Sequence, residues 1–269
     1  MGRVFVTGDI HGKPMCIRDA ISQIDNPSED DFIIIAGDAG FEYQDYIMGA
    51  AKRETKKFPG KWIVLRGNHD SSYWKEHTTW NNEKQKYYPN QGWDFTDDGM
   101  YLYQKKYPNI WYVADGGGLY LVGDYDILFI PGAYSVDKWY RLRSNYPWNP
   151  NEQLSEVEKK DLEVLTSEWL DLGFNIDFVI AHTFPSKLQP YFEDLFMSGL
   201  NQATVDKSME IWLNKMSFIY ESCPAFKQYF GGHFHDDREL TEKYTMLYHS
   251  VKCLEDYEKK PLKIMKRSK

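Results

Sequence analysis

Five short apolar runs in this chain each end in a cluster of glycine, aspartate, asparagine or histidine, and that pairing constrains the fold more than any other feature. The runs are Arg3–Thr7, Asp31–Ala36, Lys61–Leu65, Asp177–Ala181 and Lys227–Phe230. Short apolar or β-branched runs of this kind are the pattern of buried strands. Longer amphipathic stretches stand between them: Pro14–Ile24, Tyr43–Lys57, Ser155–Leu172 and Ala203–Tyr220. Pro14 suits a first helical turn, and Ser155 precedes Glu158 by three residues, the capping-box spacing. Strands alternating with helices predict an α/β fold. With 269 residues, 42% of them hydrophobic, the chain has material for a substantial core.

The middle of the chain departs from this rhythm. Twelve aromatic residues lie between Tyr73 and Tyr112, interleaved with polar turn residues. The segment 73–112 reads either as an aromatic-rich insertion or cap, or as part of a second sheet packed on the first. Ile110–Val113, Leu119–Val122 and Ile127–Ile130 read as an antiparallel meander, with Gly123-Asp124 turning between the last two. The residues from 256 to 269 read as a Lys-rich, solvated tail after a domain spanning 1–255.

The clusters at the strand ends carry the chemistry. They are Gly8-Asp9-Ile10-His11-Gly12, Gly37-Asp38-Ala39-Gly40, Gly67-Asn68-His69-Asp70, His182, and Gly231-Gly232-His233-Phe234-His235-Asp236-Asp237. In open α/β sheets ligands bind beyond the carboxyl ends of the strands, so the five clusters can converge. Asp, Asn and His without Cys make an oxygen and nitrogen donor set suited to Mn, Fe, Zn or Ni. Asp9-x-His11 and His233-x-His235 have the spacing that, in extended chain, puts two side chains on one face. Seven donors exceed what one tetrahedral ion needs and suit two ions sharing a carboxylate, the arrangement that clamps both oxygens of a phosphoryl displacement. Five of the seven histidines fall in these clusters, and His77 and His249 read as ordinary packing or surface residues.

In this order the five motifs resemble those of the calcineurin-like metallophosphoesterase superfamily, over residues 4–237. They look most like its small bacterial and phage phosphoesterases, and Gly132–Lys138 is similar to a segment of that group. The resemblance implies a four-layer α/β/β/α sandwich of two mixed sheets. It also implies a metal pair. Asp9, His11 and His235 would hold one ion, Asn68, His182 and His233 the other, and Asp38 would bridge. His69 would donate a proton to the leaving oxygen or stabilise phosphoryl charge, with Asp70 orienting it, while a bridging hydroxide attacks phosphorus directly. The arginines with which protein serine/threonine phosphatases hold phosphate are missing after Asp38 and His69, and Phe41 stands where purple acid phosphatases place a tyrosine ligand. Asp70 is more typical of the phosphodiesterase and nuclease branches.

Composition bears on the partners. A net charge of -8 speaks against a broad basic face for nucleic acid but not against a small phosphorylated substrate. Two divalent ions would outweigh Asp9, Asp38 and a hydroxide by about one positive charge locally. Lys138 and Arg141, with Arg143, follow a strand end and could touch phosphate oxygens; a solvated face is the alternative. Asp236 and Asp237 read as solvated turn residues, and Gly116-Gly117-Gly118 lacks the tail of a P-loop. The aromatic segment could stack a nucleobase or simply pack. Three scattered cysteines, no signal-peptide core and no long apolar run lead to the expectation of a cytoplasmic, membrane-free protein. The expected function is hydrolysis of a phosphomonoester, phosphodiester or nucleotide. The alternatives are a metal-dependent nuclease and a catalytically silent binding scaffold of the same fold. Neither metal identity nor oligomeric state is legible.

Overall fold

The computed structural model describes residues 2–42, 46–146, 148–195 and 205–258. The chain begins β1 (Val4–Thr7), α1 (Pro14–Ser22), β2 (Phe32–Ile35), α2 (Tyr46–Thr55), β3 (Lys61–Val64). The three strands pair in parallel, Val4 with Phe32 and Phe32 with Lys61 opening the two registers. Next come α3 (Tyr73–His77), the isolated hairpin β4 (Thr78–Asn81) and β5 (Lys86–Pro89), then β6 (Trp93–Phe95), β7 (Leu102–Gln104) and β8 (Ile110–Tyr112). After these run β9 (Gly118–Val122), β10 (Tyr125–Ile130), α4 (Lys138–Arg143), α5 (Glu156–Asp171), β11 (Phe178–Ala181), α6 (Ser208–Tyr220) and β12 (Gln228–Gly231). The last described elements are β13 (Arg238–Thr241), β14 (Tyr244–Met246), β15 (Lys252–Cys253) and α7 (Glu255–Glu258).

Among the described residues two large mixed sheets form, ordered β15-β1-β2-β3-β8-β7-β6 and β13-β14-β12-β11-β10-β9. Strand alternation distributes the apolar side chains into three layers. Phe5, Ile33, Ile35, Trp62 and Val64 share one layer with Cys16, Ile17 and Ala20 of α1. Their neighbours Val4, Val6, Ile34 and Ile63 join Ile127, Phe129, Phe178, Ile180 and Phe230 in the layer between the sheets. Leu128, Ile130, Val179 and Tyr229 form the third, against Leu162 of α5 and Met209, Leu213, Met216 and Tyr220 of α6. Helix on sheet, sheet on sheet and sheet on helix make the four-layer α/β/β/α sandwich.

The five expected strands are present, each displaced by one residue or less at its ends. The helix expected over 43–57 is described from Tyr46, and residues 43–45 of that expectation lie outside the described residues. The helix expected from Ala203 begins at Ser208, with 203 and 204 likewise outside. Ser155 caps α5 through a complete capping box with Glu158.

The middle segment needs correction. Segment 73–112 is neither one cap nor part of the second sheet. Its last three strands extend the first sheet, β8 pairing in parallel with β3, and only β4 and β5 stand apart. The expected meander is broken for the same reason: β8 joins the first sheet, while β9 and β10 form an antiparallel hairpin in the second, turning at Gly123 (φ +59°). The aromatic residues are largely packing. Tyr73 and Tyr112 lie 4.4 Å apart and Trp74 and Phe95 5.0 Å apart by ring centroid, and His77 stacks on Trp93 at 4.0 Å. The expected tail overlaps α7, whose Tyr257 is buried in the layer between the sheets; 259–269 lie outside the described residues. Cys16, Cys223 and Cys253 are free thiols, and among the described residues no helix is long and apolar enough to cross a membrane.

Ile34 is wholly buried between the sheets, whereas the Ser155 cap is a surface device. Ile34→Ala should therefore lower the unfolding free energy by about 2–5 kcal/mol. Ser155→Ala should cost only about 1 kcal/mol. Urea unfolding followed by circular dichroism reads both as shifts of midpoint at constant slope. A cost at Ser155 equal to that at Ile34 would contradict the layer assignment.

Candidate metal centre

The first three strands belong to one sheet and β11 and β12 to the other, yet the loops beyond their C-terminal ends meet. Within each sheet backbone bonds join the loops, Ile10 and His11 donating to the Asp38 carbonyl at 3.1 and 2.7 Å and Gly232 to that of His182 at 3.2 Å, and across the sheets the His233 amide donates to Asp9 Oδ1 at 2.9 Å. His11, Asp38, His233 and His235 have left-handed backbones, φ +48°, +50°, +73° and +53°. For residues with a Cβ this costs about 1–3 kcal/mol each, so the packed surroundings must hold it. Glycine makes the packing possible at two points. A Cβ on Gly37, itself at φ +101°, would stand 2.1 Å from His182 Nδ1, and one on Gly67 would stand 2.1 Å from Asp38 Oδ1.

Two groups of donors form around Asp38. In the first, His235 Nε2 lies 3.1 Å and His11 Nε2 3.6 Å from Asp9 Oδ2, and the two imidazole nitrogens are 2.8 Å apart. In the second, Asn68 Oδ1 lies 2.7 Å from His182 Nε2 and 3.1 Å from His233 Nδ1. Asp38 Oδ2 stands between them, 3.6 Å from His182 Nε2, 3.9 Å from His11 Nδ1 and 4.0 Å from His69 Nε2. The expected His-x-His pair thus splits, His235 joining Asp9 and His233 joining Asn68. Left-handed turns, not the extended alternation expected from the spacing, bring it there.

These residues fit a metal ion. Asp9 Oδ2 is buried without a hydrogen bond among the described residues, at a cost of several kcal/mol in a dry site unless a cation satisfies it. Asp9, His11 and His235 offer donor atoms close enough to share one ion, as do Asp9, Asp38 and His182. The His182 ring is fixed by its Nδ1 at 2.9 Å from the Ala36 carbonyl, the second contact that commonly orients a metal-binding imidazole. Asn68 is oriented by donating its side-chain amide to Ser135 Oγ at 2.8 Å, which turns Oδ1 toward the two rings. Sequence reasoning missed Ser135, although it lies in the Gly132–Lys138 segment already marked by resemblance.

Burial and Asp38 govern the electrostatics. Burial depresses the pKa of His11 and His69, with the Asp38 carboxylate opposing it, and holds His233 well below the usual imidazole range. At His182 burial pulls the same way but Asp38 prevails, raising it to about 9. Burial pushes Asp38 up, yet His182, His69 and His11 together hold it well below the usual carboxylate range. Asp38 thus favours positive charge at His182, whereas burial disfavours the charged form of the other three rings, and neutral imidazole is the form that binds a metal.

Asp70 does other work than expected. Its carboxylate accepts from the backbone amides of Gly67, Ala39 and Gly40 at 3.0, 3.2 and 2.9 Å, clasping the loops after β2 and β3. The expected orienting bond to the His69 ring is replaced by these. Burial and the nearby Asp38 push Asp70 up to about 6. Asp237, expected as a solvated turn residue, accepts from the amides of Tyr248, His249 and Ser250, and the Tyr248 ring stacks on His235 at 4.9 Å. Asp236 pairs with Arg238 at 2.9 Å.

A cavity of about 330 Å³ opens onto Asp38, Asn68, His69, His233 and His235. Lys138 and Arg141 are not part of its lining. Lys138 Nζ lies 4.2 Å from the centroid of Trp148, and Arg141 pairs with Asp137 at 2.6 Å, though the Arg141 charge still depresses His69. None of the twelve aromatic residues of 73–112 lines the cavity.

Among solved structures the chain is similar to a phosphopantetheinyl hydrolase of Mycobacterium tuberculosis, at 16% identity over 97% of this chain and 93% of that one, with a TM-score of 0.48. It is similar also to a Thermus thermophilus protein (10% identity, 94% and 97% covered, TM-score 0.44). A third is a protein of unknown function from Aquifex aeolicus (13% identity, 68% and 81% covered, TM-score 0.33). No curated protein matches this chain. The family model for calcineurin-like phosphoesterases matches residues 2–237, strand ends and donor clusters included, and the chain therefore belongs to that family of metal-dependent phosphate-ester hydrolases.

Proposed function

We propose that this chain hydrolyses a small phosphorylated substrate, a phosphomonoester, phosphodiester or nucleotide, at a pair of divalent ions drawn from Mn, Fe, Zn or Ni. Asp9, His11 and His235 would hold one ion and Asn68, His182 and His233 the other, with Asp38 shared. The observation that carries this reading is Asp38 Oδ2, set 3.6 Å from His182 and 3.9 Å from His11, between two donor groups. Bound divalent ions neutralise phosphoryl charge and acidify a water at neutral pH. His69 borders the cavity and can offer a ring N–H to the phosphoryl or leaving oxygen. Asn68 and His69 are consecutive, so the loop that presents a ligand also presents this donor. Asp70 holds that loop against the one bearing Asp38 and acts by position. A cavity of about 330 Å³ suits a small leaving group, which favours such a substrate over a nucleic-acid duplex.

Replacing the shared carboxylate tests the metal pair. Asp38→Asn should cut bound metal, measured by elemental analysis after loading with Mn, and lower kcat/KM on para-nitrophenyl phosphate by at least about a hundredfold. Full metal content with undiminished activity would refute the assignment. His69→Ala should keep its metal while kcat falls by about 10²–10⁴-fold. The loss should be larger for an alkyl phosphate than for the nitrophenyl ester, whose leaving oxygen needs no proton; equal losses would remove His69 from the acid role.

A further inference from the structure

Beyond the donor groups, the cavity continues along an aromatic wall that ester hydrolysis itself does not need. Phe184 and Phe192 are buried, and the Phe234 ring centroid lies 4.6 Å from that of Phe192 and 6.2 Å from that of Phe184. Phe234 also lies 4.8 Å from His233 by ring centroid, so wall and donor group are continuous. The wall grows from the same loops as the ligands: Phe184 follows His182 by two residues, and Phe234 separates His233 from His235.

Glu210, in the first turn of α6, lines the same cavity. Among the described residues, its Oε1 receives one long hydrogen bond, from Thr183 Oγ1 at 3.5 Å, and its Oε2 is buried with no hydrogen-bond partner. Lys207, also on the wall, donates to Gln189 at 3.3 Å instead. Burial pushes the Glu210 carboxyl up to about 7. An unmet carboxyl oxygen beside apolar rings is destabilising unless a bound group completes it.

We propose, on the reading that ester hydrolysis occurs at the neighbouring metal centre, that the leaving group of the substrate carries an apolar body seated on Phe184, Phe192 and Phe234 and a hydroxyl or N–H donor that hydrogen-bonds Glu210. Glu210 is then a specificity residue: it touches the departing alcohol and takes no part in breaking the phosphorus–oxygen bond.

The test uses the metal-loaded full chain. Values of kcat/KM are measured for 2-phenylethyl phosphate and 2-(4-hydroxyphenyl)ethyl phosphate, and for matched pairs one methylene shorter and longer. At least one pair should favour the hydroxylated ester by about tenfold or more, mainly through KM. Glu210→Ala should bring that ratio close to one; Glu210→Gln, nearly isosteric and still an acceptor, should retain part of it. A ratio between paired substrates cancels any general loss of activity in a variant. Phe192→Ala should raise KM for 2-phenylethyl phosphate relative to ethyl phosphate by roughly tenfold. A hydroxyl preference that is absent, or that survives Glu210→Ala, overturns the pocket assignment, as does hydrolysis of para-nitrophenyl phosphate without hydrolysis of any pair. If no ester, para-nitrophenyl phosphate included, is hydrolysed with Mn, Fe, Zn or Ni, the hydrolase reading beneath it falls instead.

Discussion

A carboxylate removed from water must be met by hydrogen bonds or positive charge, and Asp38 is buried where three histidines and two backbone segments surround it. Its Oδ1 accepts from the amide of His69 at 2.9 Å, and its carbonyl accepts from Ile10 and His11. Through one residue the loops after β1, β2 and β3 are held in register. The histidine rings facing its Oδ2 come from both sheets, so the sandwich must close before Asp38 is satisfied. The same charge that raises His182 is the charge a cation would answer.

The surroundings of Asp38 are built to keep strained backbone in place. Four donor residues occupy left-handed conformations, which Asp and His visit more readily than most residues but which four positions together hold only with packing around them. Asp70 and Asp237 offset part of the cost, Asp70 accepting from Gly67 of its own loop and from Ala39 and Gly40, and Asp237 from Tyr248, His249 and Ser250. Carboxylates that first suggest the orienting of His69 or simple solvation are here the fasteners of ligand-bearing loops. Such fastening holds the donor-bearing loops in place, and a metal site requires its donors to be held within about 0.5 Å of their working positions.

Net charge proves to be the wrong scale for judging the substrate. The chain carries -8 overall, yet three rings close to Asp38 and the unmet oxygen of Asp9 make the pocket receptive to cations, and through them to phosphate. Of the basic residues of α4, Lys138 packs on Trp148 and Arg141 pairs with Asp137. Recognition of the rest of the substrate falls to Phe184, Phe192, Phe234 and Glu210. These four form no motif, because their spacing in sequence has no regularity; only α6 and two loops folding together make them a wall.

Much of the molecule was legible in the chain itself. Apolar runs set the five principal strands, Ser155 and Glu158 set the start of α5, and the donor types at the strand ends named the chemistry. Each of these is a short-range property: side-chain period, capping spacing, residue type. What the chain left open depended on partners distant in sequence. His11 meets His235 across 224 positions, and Asn68 meets Ser135 across 67. Whether β8 continued the hairpin strands or joined β3 turned on which sheet edge was free, which Ile110–Tyr112 could not encode alone. Tertiary packing also decided that Asp70 clasps loops, that left-handed turns and not extended chain present the His-x-His pair, and that an unmet carboxyl faces the cavity. Sequence determined which atoms could bind a metal and a phosphate ester; the closing of two sheets determined how those atoms meet, because only packing can hold strained backbone and buried charge where isolated chain would release them.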